Sequence, residues 1–338
     1  MGIKLGNTFI KKFCMNNIMK MNIEELRNKT LVIDTSIYMY RFLEENALEY
    51  NFQKLIDMFN YYNITPLFIF DGRAKECKRQ TLNERRRFRK RAEYEYKETA
   101  ELLETAKTSL DKLYINNKLK EIKKRTIKIT AEHKDIVKKI IDANKQCMYL
   151  DAPHESDELC ARIVMSKQAV GVLTDDMDMF VYGCPYVYRY LDIVNKTIVR
   201  YDLKGIMRTL NMSLTEFKEL FIISGTDYNM STHNIFYYYE QFIAYKKNKK
   251  YNNDNNDNNK NDKNNSKKPR KTYKNDNIGF YEWLLLNTDS IDDYDKLLEI
   301  YFMFDLNNRE HDYLKKIDKD IKKKLKDVKN TEENNVNN

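Results

Sequence analysis

No stretch of the chain approaches the roughly 18 consecutive apolar residues that a membrane-crossing helix requires. The first residues, MGIKLGNTFIKKFC, lack the apolar core of a secretion signal, and Gly at position 6 breaks the myristoylation pattern. A soluble, intracellular protein with no membrane partner is therefore expected. The five cysteines (Cys14, Cys77, Cys147, Cys160 and Cys184) make no C-x-x-C pair, and the four histidines are scattered, which argues against a zinc site and against a disulfide framework. Glycine and proline are missing altogether from residues 82–142. That charged tract should form helices with little continuous core face.

The 338 residues suffice to bury a sizeable core. Sixty Lys and Arg against fifty-one Asp and Glu leave a net charge of +9, which favours polyanionic partners. Short runs rich in Val, Ile and Phe alternate with longer segments of helical period, the pattern of an α/β domain. The runs are TLVID (30–34), PLFIFD (66–71), QCMYLD (146–151), VGVLTDD (170–176) and PYVYRYL (185–191). Between the first two, YRFLEENALEYNFQKLIDMFNYYN reads as one crossover helix, which makes its flanking strands parallel. Residues 246–274 hold ten Asn and eleven Lys or Arg, too little apolar surface to offset ordering, and a disordered insertion is expected over 246–276. Apolar periodicity returns in IGFYEWLLLN and YDKLLEIYFMFDL, so helices are expected within 277–318 and a flexible tail over 319–338.

The stretch TDDMDMF places Asp175, Asp176 and Asp178 directly after the apolar AVGVL. The same grammar, an apolar run and then a carboxylate, recurs at Asp34, Asp71 and, after LFIISGT, Asp227. In open α/β sheets the carboxyl ends of the strands form the ligand crevice. Glu155, Asp157 and Glu158 open a further helix in YLDAPHESDELCA. Singly, an Asp after a strand is commonly the N-cap of the next helix, and acids in a first turn complement the helix dipole. Jointly they repel, by about 4 kcal/mol for a pair 4 Å apart at an effective dielectric of 20. A crevice gathering six or seven such groups needs cations, and oxygen ligands without His or Cys select Mg²⁺ or Mn²⁺. Two such ions suit phosphodiester hydrolysis. Immediately beyond Asp71, residues 73–91 carry ten Lys or Arg against two Glu, including the run RRRFRKR. Cations there could hold a phosphate.

These residues resemble the structure-specific 5' nucleases, the family of flap endonuclease, exonuclease 1 and the xeroderma pigmentosum group G nuclease. MGIK (with Gly2), VIDTSIYMYRFL, PLFIFDG, YLDAPHESDELCA, TDDMDMFVYG and ISGTDY look like its blocks, in order, over about residues 1–230. The resemblance implies an α/β, PIN-like fold with a mixed, mostly parallel sheet and helices on both faces, in a nuclease domain of residues 1–245. It implies a helical arch over the active site at about residues 80–130. The metal-binding acids it implies are Asp34, Asp71, Glu155, Asp157, Asp176, Asp178 and Asp227, holding two Mg²⁺ with Mn²⁺ as a substitute. Lys78 and Arg85 match the phosphate-gripping cations, and Tyr40 matches an aromatic that stacks on an unwound base. Arg86, Arg87, Arg89, Lys90 and Arg91 would meet nucleic acid.

By this resemblance the chain is a monomeric nuclease acting on DNA with a 5' single-stranded flap or junction, in the nucleus or at a viral replication site. Exonuclease and junction-resolving activities of the same family stay open, as does a non-catalytic nucleic-acid-binding role. Two departures stand out. NMSTHNIFYYYEQF, after GTDY, has none of the glycines of the family's duplex-gripping turn. The tail has no Q-x-x-aliphatic-x-x-aromatic-aromatic motif, so no sliding-clamp partner is expected.

Overall fold

The computed structural model describes residues 3–258 and 278–306. Along the chain, α1 (Gly6–Phe13) precedes β1 (Ile18–Asn22) and β2 (Thr30–Asp34). Helices α2 (Thr35–Glu44) and α3 (Leu48–Tyr61) lead to β3 (Thr65–Phe70), followed by α4 (Arg79–Thr105), α5 (Ser109–Thr126) and α6 (Ala131–Asp142). Then come β4 (Met148–Asp151), α7 (Ser156–Met165), β5 (Val172–Leu173), α8 (Asp178–Val181), β6 (Tyr186–Asp192) and β7 (Thr197–Asp202). The remainder is helical: α9 (Leu203–Leu210), α10 (Leu214–Ile223), α11 (Ile235–Asn258), α12 (Phe280–Asn287) and α13 (Tyr294–Met303).

Two compact units interleave in this order. One consists of the described residues of Ile18–Asp175 and Cys184–Asp202, the other of those of Met1–Asn17, Asp176–Gly183 and Leu203–Asn308. The first unit holds the whole seven-stranded sheet, in the order β1-β7-β6-β5-β2-β3-β4. The β2–β3, β3–β4, β2–β5 and β5–β6 pairs are parallel, and β7 and β1 add antiparallel. The expected mixed, mostly parallel sheet is present. Parallel strands are buried on both faces and read as continuous apolar runs. Accordingly Leu31, Val32 and Ile33 are fully buried. Leu31 and Ile33 join a core with Phe52, Leu55, Phe59, Phe68, Val137 and Ile141, from α3, β3 and α6. Val32 between them points to the opposite face, where α7 packs on β2, β3 and β5.

The crossover is two helices, not one. Asn46 adopts a left-handed φ of 51°, and the Ala47 amide donates back to Phe42 O at 3.0 Å. This is a Schellman ending, which Asn tolerates better than other non-glycine residues. The glycine-free tract forms a hairpin of α4 and α5, joined by the Arg125–Glu95 ion pair at 3.1 Å, with Ala92, Leu119 and Ile122 buried.

In the second unit, LFIISGTD is not the strand-like run expected. Ser213 and Glu216 form a capping box that starts α10, and Gly225, at φ 101°, lies just past its end. Phe9 packs on Phe221, Phe236 and Tyr239, and Phe217 stacks on Phe221 at 4.1 Å. Helix α11 continues to Asn258, so the first part of the tract expected to be disordered is helical. The rest of that tract, residues 259–276, and the tail expected over 319–338 lie outside the described residues. Helices α12 and α13 fall where periodicity placed them. Among the described residues no helix is long and apolar enough to cross a membrane.

On α10, burial pushes the Glu219 carboxyl up to about 7, with Glu216 and Glu282 adding to the rise. The folded chain therefore keeps a proton that the unfolded chain releases above its ordinary value of 4.5. Stability contributed at this position falls as pH rises from there to about 7, and the penalty is complete above it. Glu219→Gln should raise the melting temperature by a few degrees at pH 8 and leave it unchanged at pH 4, read by circular dichroism.

Candidate active site

In the sheet-bearing unit, β2 and β3 end side by side, with Asp34 opposite Ile69 in register and Asp71 following β3. Asp34 is 5% exposed. Its Oδ2 accepts from the Thr174 hydroxyl at 3.0 Å, and its Oδ1 lies 3.4 Å from the Ser156 hydroxyl. Asp71 Oδ1 accepts from both the amide and the hydroxyl of Ser156, at 2.9 and 2.8 Å, while its Oδ2 accepts from Ser36 at 2.5 Å. One hydroxyl hydrogen cannot serve two carboxylates, and the shorter contact assigns it to Asp71. Ser156, the first residue of α7, thus holds the carboxylate that follows β3, with Asp34 at the end of β2 close beside it.

That position carries the neighbouring acids with it. Glu155 is the N-cap residue of α7, yet its side chain makes no capping bond. It forms an ion pair with Lys78 at 2.6 Å instead, and Lys78 is only 7% exposed. Asp157, in the first turn, is half-buried. Glu158 turns to Lys75 at 2.8 Å and Arg162 at 3.1 Å. A buried ammonium needs such a partner, because leaving either charge unpaired in a desolvated place is costly.

Close approach of backbones holds this arrangement. The Gly72 amide donates to His154 O at 2.6 Å, and Ala152 donates to Phe70 O at 2.9 Å. A Cβ on Gly72 would fall 2.0 Å from Ala152 O. Lys134 of α6 donates to Asp71 O at 2.6 Å.

In the helical unit, Asp176 and Asp178 are both buried, and the Asp178 amide donates to Asp176 Oδ1 at 3.0 Å. An oxygen of each lies within 4.8 Å of the other. At an effective dielectric of 20 two charges so placed repel by about 3 kcal/mol. Asp227 is half-buried and stands in the turn after α10, where Asn229 accepts from Thr226 through both amide and hydroxyl.

Each unit by itself thus carries acids from the expected set: Asp34, Asp71, Glu155 and Asp157 in one, Asp176, Asp178 and Asp227 in the other. Their donors are oxygens alone, with no His or Cys among them, which fits a hard divalent cation.

Lys78 lies among the acids, through Glu155. Arg85, Arg86, Arg87, Lys90 and Arg91 are exposed on α4 and Arg89 is half-buried there, so the hairpin presents a cationic face. Tyr40 is 37% exposed on α2, whereas Tyr38 is buried, and burial pushes its hydroxyl well above the usual range, aided by Asp175. Asp175 is the exposed member of the TDDMDMF trio; its Oδ1 accepts the Tyr190 amide at 3.2 Å. Gly2 lies outside the described residues.

Sequence reasoning missed Ser36, Ser156, Thr174 and Lys134. The first three are uncharged and gain meaning only when the strand ends are brought together. A signal for Ser156 existed, since it interrupts the acidic run at a helix start.

Comparison with known proteins follows the same segments. Residues 1–92 match the XPG N-terminal domain, and residues 146–227 match the XPG I-region. Flap endonuclease 1 of Methanococcus aeolicus is 27% identical over 247 residues, covering 68% of this chain and 70% of that protein. Flap endonuclease 1 of Glycine max is 28% identical over 248 residues, covering 68% of this chain and 62% of that one. The catalytic core of Rad2, solved in complex with DNA substrate, shares the fold with a TM-score of 0.59 at 20% identity, covering 92% of this chain and 88% of that one.

The tight passage at Gly72 generates a test. Gly72→Ala should cost about 2–3 kcal/mol, read as a lowered urea midpoint at unchanged slope, because Ala152 O is backbone and cannot rotate aside.

Proposed function

The chain belongs to the family of structure-specific 5' nucleases that carry the XPG N-terminal and I-region domains, and we propose that it hydrolyses DNA phosphodiesters at single-strand/duplex junctions, removing 5' flaps during replication and repair. The observation that carries this reading is the gathering of Asp34 and Asp71 around Ser156, beside Glu155 and its buried partner Lys78. Acids gathered at the carboxyl ends of parallel strands with a cation among them suit a negatively charged substrate handled through divalent ions.

Asp34, Asp71, Glu155, Asp157, Asp176, Asp178 and Asp227 would hold two Mg²⁺, with Mn²⁺ as a substitute. Such ions, when bound, acidify a water and neutralise charge developing on the phosphoryl oxygens. The remaining work falls to the chain's own side chains. Lys78 and Arg85 grip the scissile phosphate. The Glu155 carboxylate keeps the Lys78 ammonium aimed until a phosphate oxygen competes for it. Tyr40 stacks on the base beside the scissile bond, a contact any base can make.

The α4–α5 hairpin offers Arg86, Arg87, Arg89, Lys90 and Arg91 to the backbone of the single strand, a sequence-independent attraction that weakens with salt. The turn after Asp227 has its amides engaged locally: the amides of Phe236 and Tyr237 donate to Asn234 Oδ1, and those of Thr226 and Tyr228 are likewise taken by side chains. The protein acts as a monomer without a sliding clamp.

A 5'-labelled flap duplex should be cut at the junction in Mg²⁺ or Mn²⁺ and left whole in EDTA. Asp178→Ala should slow cutting by more than about a hundredfold, as loss of transition-state electrostatics does, with DNA affinity largely kept. Cutting confined to duplex ends would replace the flap activity by an exonuclease, and binding without cutting in either metal would contradict the catalytic reading.

A further inference from the structure

Strand β6 carries one residue more than its partner β7. Arg189 pairs with Val199 and Asp192 with Thr197, so three steps along β6 match two along β7. Tyr188 and Leu191 both enter the core, although a regular strand alternates faces every residue. The inserted residue is Tyr190, whose φ of 53° lies in the left-handed region that aromatic residues rarely adopt. Bulges of this kind re-aim a side chain beside functional sites. Here the bulge turns Tyr190 outward, 39% exposed.

The ring is held on several sides. Its residue's amide donates to Asp175 Oδ1 at 3.2 Å, and its side chain is hydrogen-bonded to that of the buried Tyr201. The guanidinium carbon of Arg189 lies 4.9 Å from the ring centroid. Arg189 is itself 5% exposed and is fixed by the Asp175 carbonyl at 2.6 Å and by its carboxylate at 3.8 Å. Asp175, the one residue of the TDDMDMF trio outside the metal-binding set, therefore has a function of its own: it fastens both residues of the bulge.

The position is within the sheet-bearing unit and close to its acids. Asp175 directly follows Thr174, the residue that donates to Asp34. Arg41, next to Tyr40, donates to Leu191 O, next to Tyr190, at 3.0 Å. That bond joins α2 to β6 one residue from each of two part-exposed aromatics, Tyr40 and Tyr190.

We propose that Tyr190 is a nucleobase-binding platform, stacking one unpaired base of the single-stranded part of the substrate, with Asp175 and Arg189 as its positioning residues. A rigid, half-open aromatic ring backed by a cation suits the π-face of any base and discriminates little among them. The proposal rests on the nuclease reading above.

The test uses the full chain in EDTA with flap oligonucleotides carrying a single abasic nucleotide, moved one position at a time. Glycine adopts positive φ readily, so Tyr190→Gly removes the ring while keeping the bulge, and the variant should stay folded by circular dichroism. Its affinity for the intact flap should drop on the order of tenfold, with an unchanged slope of log Kd against log salt, since no phosphate contact is lost. One abasic position should cost the wild type the same factor and cost Tyr190→Gly nothing. Tyr190→Phe, which keeps the ring, should bind like wild type. A folded Tyr190→Gly that binds as tightly as a wild type able to cut the flap overturns the platform alone. A wild type that neither binds nor cuts flap DNA overturns the nuclease reading and the platform with it.

Discussion

Carboxylates brought together at the ends of parallel strands repel, and the structure around them is arranged to contain that repulsion. In the sheet-bearing unit the solution is a ring of uncharged donors. Thr174, Ser156 and Ser36 place their hydroxyls on Asp34 and Asp71, and the Ser156 amide adds a fourth donor. Hydrogen bonds to an ionised group are the strong ones. They also leave the carboxylates in fixed orientations, which a metal site requires. Each strand end is therefore fixed in place by uncharged donors.

The buried cation Lys78 follows a different logic. Lys78 sits on Glu155, at 2.6 Å. An ammonium on either strand-end carboxylate would compete directly with a divalent ion. Placed on Glu155, at the start of α7, it is desolvated and oriented beside the strand-end carboxylates. The backbone crossing at Gly72 makes this arrangement possible, because β3 must pass within bonding distance of the segment that leads into α7. Lys134, reaching Asp71 O from α6, holds the same crossing from the other side.

How far these features could be read in advance depended on the physical signal each element carries. Strands β2 and β3 are buried on both faces, so TLVID and PLFIF stand out as continuous apolar runs. Strands β1 and β7 were missed because IMKMN and TIVRYD are edge or near-edge segments whose side chains are half exposed. LFII, equally apolar, is a helix, and an apolar run this short does not distinguish the two; the capping box at Ser213 and Glu216 held the answer. The break at Asn46 depends on one residue's left-handed conformation. Among the acids, the strand-then-carboxylate pattern pointed to Asp34, Asp71, Asp176 and Asp178. It could not separate Asp175, which differs only in facing solvent and a bulge that sequence does not reveal. The hydroxyls that hold the site carry no charge and no periodicity, and became visible only with the strand ends in register.

The central claim is that these carboxylates are crowded because divalent ions belong among them. Titration of Mn²⁺ into the metal-stripped protein, followed by the electron paramagnetic resonance of free Mn²⁺, tests it most directly. The account predicts saturable uptake of two ions per chain, displaced by Mg²⁺ and lost in a variant with Asp34 and Asp71 both changed to Asn. Absence of saturable uptake by a folded wild-type protein, or uptake that this double variant leaves untouched, would contradict it.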